Sequence, residues 1–594
     1  MCHRLCSKHN PEVETEFGWV RGISYPLKSG KGSADIFYGI PYAEPPIGDL
    51  RYEKPEKPQH WNDVKDCTKM APACQQHVKG AFGIQDVSED CLTLNIITPS
   101  KRGLTACGAA TEGAGPLGYR PAVASKSIKA GINCNMIIKE DQNRLLPVLF
   151  HIHGGGYEIG SAGMFNHHSI ADLYSDKDVI IVFIQYRLSF LGFMSSGRSD
   201  LPGNLGLFDQ TEALKFVHRN IRAFGGDPSR IIAWGVSAGG ASSSQLSLSP
   251  YSRDYLAGTI EISGSAWNAW SHRSPTVSAS KQLVIALGCP WDQKELKGCL
   301  KTKTIEEIHE AMTQLQNPKD SLGNLAFTPR MDGDFLPLTT DELAAEAPKI
   351  PKIIGANAKE SAFFTILGLA SEISKSHIPF EKQANFGEAD LREFIKKVIA
   401  RNFDDQADEV EEEILAFYTR DKPASADRFY YLDKHTDVTS DLIFNVGIRR
   451  GAESRYLLNE ASYVFLFEHF APDLYESGHP VNGSYHLNDC AYMVDWQTMG
   501  SFEWTEQEQR IRRGVLQMVA TFAHNLKPST DDVTDWPKYT DKGSEYVAIT
   551  TKEFEKRKGF FEESGRFWDR ITAKYGFDAI TEMRRLHRSA HTEL

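Results

Sequence analysis

The segment Gly235-Val236-Ser237-Ala238-Gly239 contains the residue with the clearest potential for chemistry. It follows a short apolar run, and a serine between small residues at the end of a strand is typical of a nucleophile elbow. The small neighbours let the backbone turn sharply, so that the serine hydroxyl is exposed at the start of the next helix. A structural turn rich in glycine and serine is the alternative, which the pentapeptide alone does not exclude.

A glycine-rich segment, His153-Gly154-Gly155-Gly156, follows another apolar run. Consecutive glycines let backbone amides approach an oxygen atom that a Cβ would keep away. The segment is typical of an oxyanion loop, and we predict that the N–H groups of Gly155, Gly156 and Ala238 form an oxyanion hole. A phosphate-binding loop is disfavoured, because the segment lacks both G-x-x-x-x-G-K-[ST] and a G-x-G-x-x-G that opens a helix.

A serine hydroxyl is a weak nucleophile at neutral pH, so Ser237 would require a base, and the base would require an orienting carboxylate. The chain has 19 histidines, most of which must be ordinary surface or core residues. Spacing alone does not identify the base or its carboxylate.

Several apolar, β-branched runs indicate the strands that would position these residues. They are nearly continuous rather than alternating, which is typical of strands buried on both faces of a sheet. Between two of them, residues 208–228 have apolar positions at helical spacing and a Gly-Gly-Asp-Pro stop. We therefore predict an α/β fold with a mostly parallel central sheet and helices on both faces. The runs are 146–153, 178–186, 230–236, 350–356 and 463–469.

Composition excludes several classes of protein. The chain has 594 residues, of which 41% are hydrophobic and 24% charged, as in ordinary globular proteins. A net charge of −12 disfavours nucleic acid as a partner. No run reaches the roughly 18–20 apolar residues of a membrane span. The length allows several domains, but a single large core is also possible.

The spacing of four cysteines suggests two crosslinks. Cys74 and Cys91 bracket one short segment, and Cys289 and Cys299 bracket another. Disulfides that close loops of this length would each contribute about 2–3 kcal/mol to stability. Spacing alone leaves buried free thiols equally open.

The ends and one internal segment differ from the rest of the chain. Residues 1–10 lack the apolar stretch of a signal peptide, whereas the final His-Thr-Glu-Leu resembles a retrieval signal of the secretory pathway. We expect the lumen of the endoplasmic reticulum or the secretory pathway if a leader precedes the given start, and otherwise the cytoplasm. Residues 101–145 are rich in glycine, alanine and serine, and we predict a flexible insertion there.

The order of motifs along the chain resembles the type-B carboxylesterase/cholinesterase family of α/β-hydrolases. The resemblance covers nearly the whole chain except residues 1–10 and 101–145. The motifs that carry it are FYGIPYAEPPIGDLRYEKP (37–55), SEDCLTLNI (88–96), HIHGGGY (151–157), QYRLSFLGF (185–193), GNLGLFDQTEALKFVHRNI (203–221), FGGDPSRIIAWGVSAGG (224–240), ISGSAWNAW (262–270), NAKESAFF (357–364), GSYHLNDCAY (483–492) and FAHNLKPS with DWPKY (522–539).

The resemblance supplies the missing partners of Ser237. It places the acid at Glu360, in an N-x-x-E-x-x-x-F pattern, and the base at His486, just before Asp489 and Tyr492. The chain order serine, glutamate, histidine is that of α/β-hydrolases. The implied reaction is hydrolysis of a small carboxylic ester, or of an amide or thioester, through an acyl-enzyme on Ser237. Neither a cofactor nor a metal is implied.

The resemblance also bears on domains and structural residues. It implies one α/β-hydrolase domain over residues 11–585, with tails at 1–10 and 586–594. It implies that Cys74–Cys91 and Cys289–Cys299 are disulfides, and that Arg51 with Glu89 and Arg187 with Asp209 form structural ion pairs. It suggests that Trp270 lines the substrate pocket, although a large aromatic residue is more often simply part of the core.

Two departures from the family pattern narrow the expected substrate. Val236 stands where the family usually has a glutamate, so a buried carboxylate near the site is missing and the pH dependence and deacylation are expected to differ. Phe82 is the only aromatic residue where a choline-binding tryptophan is expected. Cation–π recognition of a quaternary ammonium therefore lacks its main ring, and the chain is closer to general carboxylesterases than to acetylcholinesterase. Two alternatives stay open: acyl transfer from the same acyl-enzyme, and a catalytically silent binding or adhesion protein of the same fold.

Overall fold

A computed structural model describes residues 10–78, 80–100, 144–272, 275–315, 325–368, 376–471, 480–497 and 502–584. The predicted insertion lies outside the described residues except for its last two positions. The predicted tails also lie outside them, except for Asn10. The proposed domain boundaries and the retrieval-like ending therefore stay predictions.

Five strands lie where the apolar runs predict them, at 146–152, 180–184, 226–236, 352–357 and 462–467. In chain order the strands are β1 Glu12–Thr15, β2 Gly18–Arg21, β3 Ile23–Pro26, β4 Ser33–Pro41, β5 Lys65–Asp66, β6 Ala73–Cys74, β7 Val87–Ser88, β8 Thr93–Pro99, β9 Leu146–Ile152, β10 Ile180–Ile184, β11 Gly226–Val236, β12 Gly258–Ile262, β13 Lys352–Asn357, β14 Ser462–Phe467, β15 Tyr546–Ile549, β16 Phe554–Arg557, β17 Phe577–Asp578 and β18 Met583–Arg584.

Eleven of these strands form the main sheet, in the order β16-β15-β14-β13-β12-β11-β9-β10-β8-β4-β3. The strands from β15 to β10 are parallel to one another, whereas β16 at one edge and β8, β4 and β3 at the other pair antiparallel. The predicted mostly parallel central sheet is confirmed. Because the carboxyl ends of parallel strands share one edge, the segments that follow β9, β11, β13 and β14 come together there.

The α-helices connect these strands. They are α1 His167–Tyr174, α2 Ser189–Phe193, α3 Leu205–Asn220, α4 Ala238–Leu246, α5 Thr276–Ala286, α6 Leu296–Thr302, α7 Ile305–Thr313, α8 Thr340–Glu346, α9 Ala362–Thr365, α10 Phe380–Gln383, α11 Glu388–Phe394, α12 Ala407–Thr419, α13 Tyr430–Ser440, α14 Val446–Leu457, α15 Cys490–Val494, α16 Glu506–Asn525 and α17 Glu562–Tyr575.

Helices cover both faces of the sheet, which explains why the central strands are largely apolar. Every residue of β9 is buried. On one face of the strand, Phe150 packs into a core that includes Phe216 of α3. On the other face, the adjacent residue Leu149 packs into a core that includes Val515 of α16. A strand between two such cores has no solvent-facing side, and His151 is the one polar side chain in β9.

The predicted crosslinks and ion pairs are present. Disulfides join Cys74 to Cys91 and Cys289 to Cys299. The guanidinium of Arg51 donates to Glu89 at 2.6 Å, and that of Arg187 donates to Asp209 at 2.7 Å. All four charged side chains are largely or wholly buried. Among the described residues, no helix is both long enough and apolar enough to cross a membrane.

Candidate active site

Ser237 occupies a sharp turn between β11 and α4. Its backbone angles are φ 61° and ψ −127°, an unusual conformation for a residue with a Cβ. The turn is tight because Gly239 lies against β9: a Cβ on Gly239 would be 2.0 Å from the carbonyl oxygen of Ile152. The small residues around Ser237 are therefore required by close backbone approach, and the strand, turn and helix form the elbow that the pentapeptide predicts.

The glycine-rich segment after β9 lies next to this elbow. Gly155 has φ 116°, and a Cβ on it would be 2.1 Å from the carbonyl oxygen of Ile159, so no other residue fits there without rearrangement. Gly155 and Gly156 line the same cavity as Ser237. Among the described residues, the amide N–H groups of Gly155, Gly156 and Ala238 have no hydrogen-bond acceptor. These donors are available to a bound oxygen atom.

Glu360 and His486 form a buried pair. Glu360 follows β13, and His486 lies in the segment between β14 and α15. The Nδ1 atom of His486 lies 2.6 Å from Glu360 Oε2, and the backbone N–H of His486 donates to the Glu360 carbonyl at 3.3 Å. His486 lines the cavity that Ser237 also lines. The structure thus brings all three residues predicted as catalytic to one region.

Two residues that the sequence reasoning missed hold the other oxygen of Glu360. The hydroxyl of Ser263 donates to Glu360 Oε1 at 2.6 Å, and the backbone N–H of Asn357 donates to the same atom at 2.7 Å. Both carboxylate oxygens are therefore engaged, which fixes the carboxylate plane. The two residues lie in the ISGSAWNAW and NAKESAFF motifs, which were the available sequence signal.

A second buried carboxyl group lies behind this pair. Asp489 is fully buried, its Oδ1 accepts from Asn357 Nδ2 at 3.1 Å, and its Oδ2 has no partner among the described residues. Burial, with a smaller contribution from the nearby Glu360, raises the pKa of Asp489 to about 6. Burial also raises the pKa of the neighbouring Cys490 thiol, so this cysteine is not activated as a thiolate.

The cavity above Ser237 encloses about 870 Å³, including its open mouth. Four aromatic residues of the lining are linked by ring contacts and form what we call the Trp270 wall: Trp270, Phe363, Phe364 and Phe444. Phe444 is in ring contact with His486 at 4.7 Å and with Trp270 at 6.1 Å between centroids. Trp270 is thus in the cavity, as predicted, and its indole N–H donates to the Ile443 carbonyl at 2.8 Å.

A second group of rings in the lining, Phe82, Phe165 and Trp496, is linked through Trp496 and forms the Trp496 wall. Trp496 is in ring contact with Phe82 at 5.3 Å and with Phe165 at 5.6 Å. Val236, the residue that departs from the family pattern, lines the cavity as well. No Asp, Glu, Lys or Arg is among the described lining residues. Within the described ranges, no group of three or more His, Cys, Asp or Glu could hold a metal ion.

Comparison with known proteins identifies the family. The sequence model of the carboxylesterase family matches residues 9–568, which is nearly the whole chain. This chain belongs to the carboxylesterase family. It is therefore a carboxylic ester hydrolase, and its predicted α/β-hydrolase fold is confirmed.

Individual relatives match over almost the same length. The chain is 35% identical to gut esterase 1 of Caenorhabditis elegans over 580 residues, which cover 96% of this chain and 94% of the relative. It is 34% identical to gut esterase 1 of Caenorhabditis briggsae, with 96% and 94% covered. The acetylcholinesterase of Bungarus fasciatus is 28% identical to this chain, and the match covers 95% of this chain and 86% of the relative.

Proposed function

We propose that this chain hydrolyses neutral, predominantly apolar carboxylic esters through an acyl-enzyme on Ser237. His486 acts as the general base and acid, Glu360 orients and stabilises its imidazole, and the N–H groups of Gly155, Gly156 and Ala238 bind the oxyanion. The observation that carries the proposal is the 2.6 Å contact between His486 and Glu360 at the cavity into which the elbow presents Ser237.

The proposed residues account for each step of the reaction. His486 takes the proton of the Ser237 hydroxyl while its oxygen attacks the ester carbonyl carbon. The carbonyl oxygen becomes an oxyanion, which the three backbone amides stabilise, and each such donor contributes roughly 3 kcal/mol in the transition state. The carbon–oxygen bond to the alcohol then breaks, and His486 gives its proton to that alcohol. Water attacks the acyl-enzyme by the same sequence and releases the acid and Ser237.

The cavity lining supports a neutral substrate. A charged group that entered the cavity would lose its hydration, and no described lining residue carries a charge that could compensate this loss. Phe82 is the only aromatic residue in the segment where cholinesterase-like recognition of a cation would need a tryptophan. Two walls of aromatic rings instead offer apolar contact to the acyl and alcohol parts of an ester.

The test compares hydrolysis of short-chain p-nitrophenyl esters by the wild type and by Ser237→Ala. We expect kcat to fall by roughly 10⁴-fold or more in the variant, because the acyl-enzyme cannot form. Ser244→Ala is the matched control, since Ser244 is a buried serine of α4, the helix that follows Ser237, and does not line the cavity. Ser237→Ala with wild-type turnover would contradict the proposal.

Two further measurements address the alternatives. Stoichiometric labelling of Ser237 by an organophosphate in the wild type, and not in Ser237→Ala, excludes a catalytically silent binding protein. Addition of alcohol or amine acceptors, followed by analysis of the products, distinguishes hydrolysis from acyl transfer. We expect free acid as the main product, and an acyl-acceptor product formed in preference to it would replace hydrolysis by transfer.

A further inference from the structure

One polar side chain of the cavity has no role in the proposed mechanism. His151 is the penultimate residue of β9 and is only 2% exposed, yet it lines the cavity with Ser237. Neither of its ring nitrogens has a hydrogen-bond partner among the described residues. Buried polar groups are almost always paired, and an unpaired one costs about 1–3 kcal/mol, so this imidazole requires an explanation.

The surroundings of His151 consist of aromatic rings. The centroids of Phe165, Phe183 and Trp234 lie 4.8, 4.9 and 4.9 Å from that of the imidazole. Burial lowers the pKa of His151 to about 3, so the ring is neutral at physiological pH. A neutral imidazole has one N–H donor and one nitrogen acceptor, and both are directed into apolar surroundings.

The position of His151 in the cavity indicates what could pair with it. Phe165 contacts both His151 and Trp496, so the imidazole continues the Trp496 wall beyond its aromatic rings. Val236, next to Ser237, also lines the cavity and carries no polar atom in its side chain. A substrate group that lies against this wall therefore meets apolar surface, with the imidazole as the polar side chain next to Phe165.

We propose that His151 is a specificity-determining residue that hydrogen-bonds a neutral hydroxyl group on the part of the ester that lies against the Trp496 wall. A hydroxyl can either accept from the imidazole N–H or donate to the free nitrogen, so it can pair with one nitrogen of a neutral ring in either tautomer. An alkyl group of the same size leaves that nitrogen unpaired, so the site discriminates against it. The choice of an ester as ligand rests on the proposed function, whereas the hydroxyl preference rests on His151.

The test measures binding separately from turnover. In the Ser237→Ala background, dissociation constants are determined by calorimetry for ω-hydroxyalkyl acetates with a range of chain lengths. Each is compared with the n-alkyl acetate of equal heavy-atom number. At one chain length we expect the dissociation constant of the hydroxyalkyl acetate to be about tenfold lower than that of the matching n-alkyl acetate. The ratio should fall to that of the other chain lengths in His151→Phe and be partly retained in His151→Gln, which keeps a donor and an acceptor.

His435→Phe is the matched control. His435 is also buried, has an unpaired Nδ1 and packs against the rings of Phe386 and Phe394, but it does not line the cavity. It should leave the binding ratio unchanged. The same preference in His151→Phe as in its parent, or no preference at any chain length in the parent, would overturn the inference.

A second measurement does not depend on the folding of a His151 variant. In a crystal structure of Ser237→Ala with the hydroxyl ester that binds best, the hydroxyl oxygen should lie within hydrogen-bond distance of a His151 ring nitrogen. A hydroxyl placed elsewhere would overturn the inference. Turnover by the wild type reports separately on the proposed function, because the binding experiments need no catalysis.

Discussion

The carboxylate of Glu360 lies 2.6 Å from Nδ1 of His486, and both side chains are shielded from solvent. An ionised carboxylate can only accept a hydrogen bond, so it requires the imidazole to carry its proton on Nδ1. The Nε2 atom is then left as an acceptor, which is what a general base needs to take a proton from Ser237. The pair thus sets the tautomer of the proposed base before any substrate binds.

Glu360→Gln should lower kcat by roughly 10³- to 10⁴-fold with little change in KM, because the amide can donate to Nδ1 and favour the wrong tautomer. The measurement is steady-state hydrolysis of a p-nitrophenyl ester. Glu508→Gln is a matched control, since Glu508 also forms a buried pair with a histidine, His469, at 2.7 Å, and neither residue lines the cavity. Equal losses in the two variants would contradict a specific role for Glu360.

Ser263→Ala should lower kcat by about tenfold and leave KM unchanged, because one of the two hydrogen bonds to Glu360 Oε1 is lost while the cavity is unaltered. Ser263 is a positioning residue, so the loss should be smaller than that of Glu360→Gln. Ser196→Ala removes a comparable hydroxyl that donates to Asp200 at 3.0 Å outside the cavity. A rise in KM without a fall in kcat for Ser263→Ala would count against this interpretation.

Gly155→Ala should lower kcat by roughly 10²- to 10³-fold, the cost of losing one oxyanion donor. A Cβ there would be 2.1 Å from the Ile159 carbonyl oxygen, and φ is 116°, so the loop must move. Gly163→Ala is the control in the same segment, because its Cβ would have no contact closer than 3.3 Å and φ is not positive. Thermal unfolding of both variants separates a catalytic loss from a loss of folding. An unchanged kcat in Gly155→Ala would contradict the proposal that the Gly155 N–H group binds the oxyanion.

Asp489→Asn should change how stability depends on pH. Because burial raises the pKa of Asp489 from 3.8 to about 6, the folded state holds a proton that the unfolded state loses as the pH rises through this range. Its contribution to stability is therefore complete below pH 4 and is lost by about pH 6–7, a change of about 3 kcal/mol. Relative to the wild type, the variant should gain stability as the pH rises.

The measurement for Asp489 is the free energy of unfolding in urea from pH 4.5 to 7.5. Asp441 is the internal comparison, since burial also raises its pKa to about 6 and it lies in a different buried cluster, where it accepts from Tyr418 at 2.8 Å. The free energy of unfolding of Asp489→Asn should still depend on pH through the titration of Asp441. An identical pH slope in the wild type and in Asp489→Asn would show that Asp489 is ionised throughout.

The sequence alone determined the features that are encoded by short contiguous segments. The elbow at Ser237 and the loop at Gly155 are predictable because small residues and glycines are needed wherever backbones approach closely, and that need is visible locally. The apolar runs predict the central strands for a similar reason, since a strand between two layers of helices has no polar face. Glu360 and His486 came only from the family resemblance, because spacing did not distinguish them from other acidic residues and histidines.

Only the tertiary structure decided which distant residues meet. Glu360 and His486 are 126 positions apart, and their contact depends on β13 and β14 being neighbours in the sheet. Phe444 and Trp496 carry no local sign of their roles, and the only signal for Ser263 is the motif that contains it. The unpaired imidazole of His151 became visible only when Phe165, Phe183 and Trp234 were seen around it. Strand order and helix packing are properties of the whole chain, so no short motif contains them.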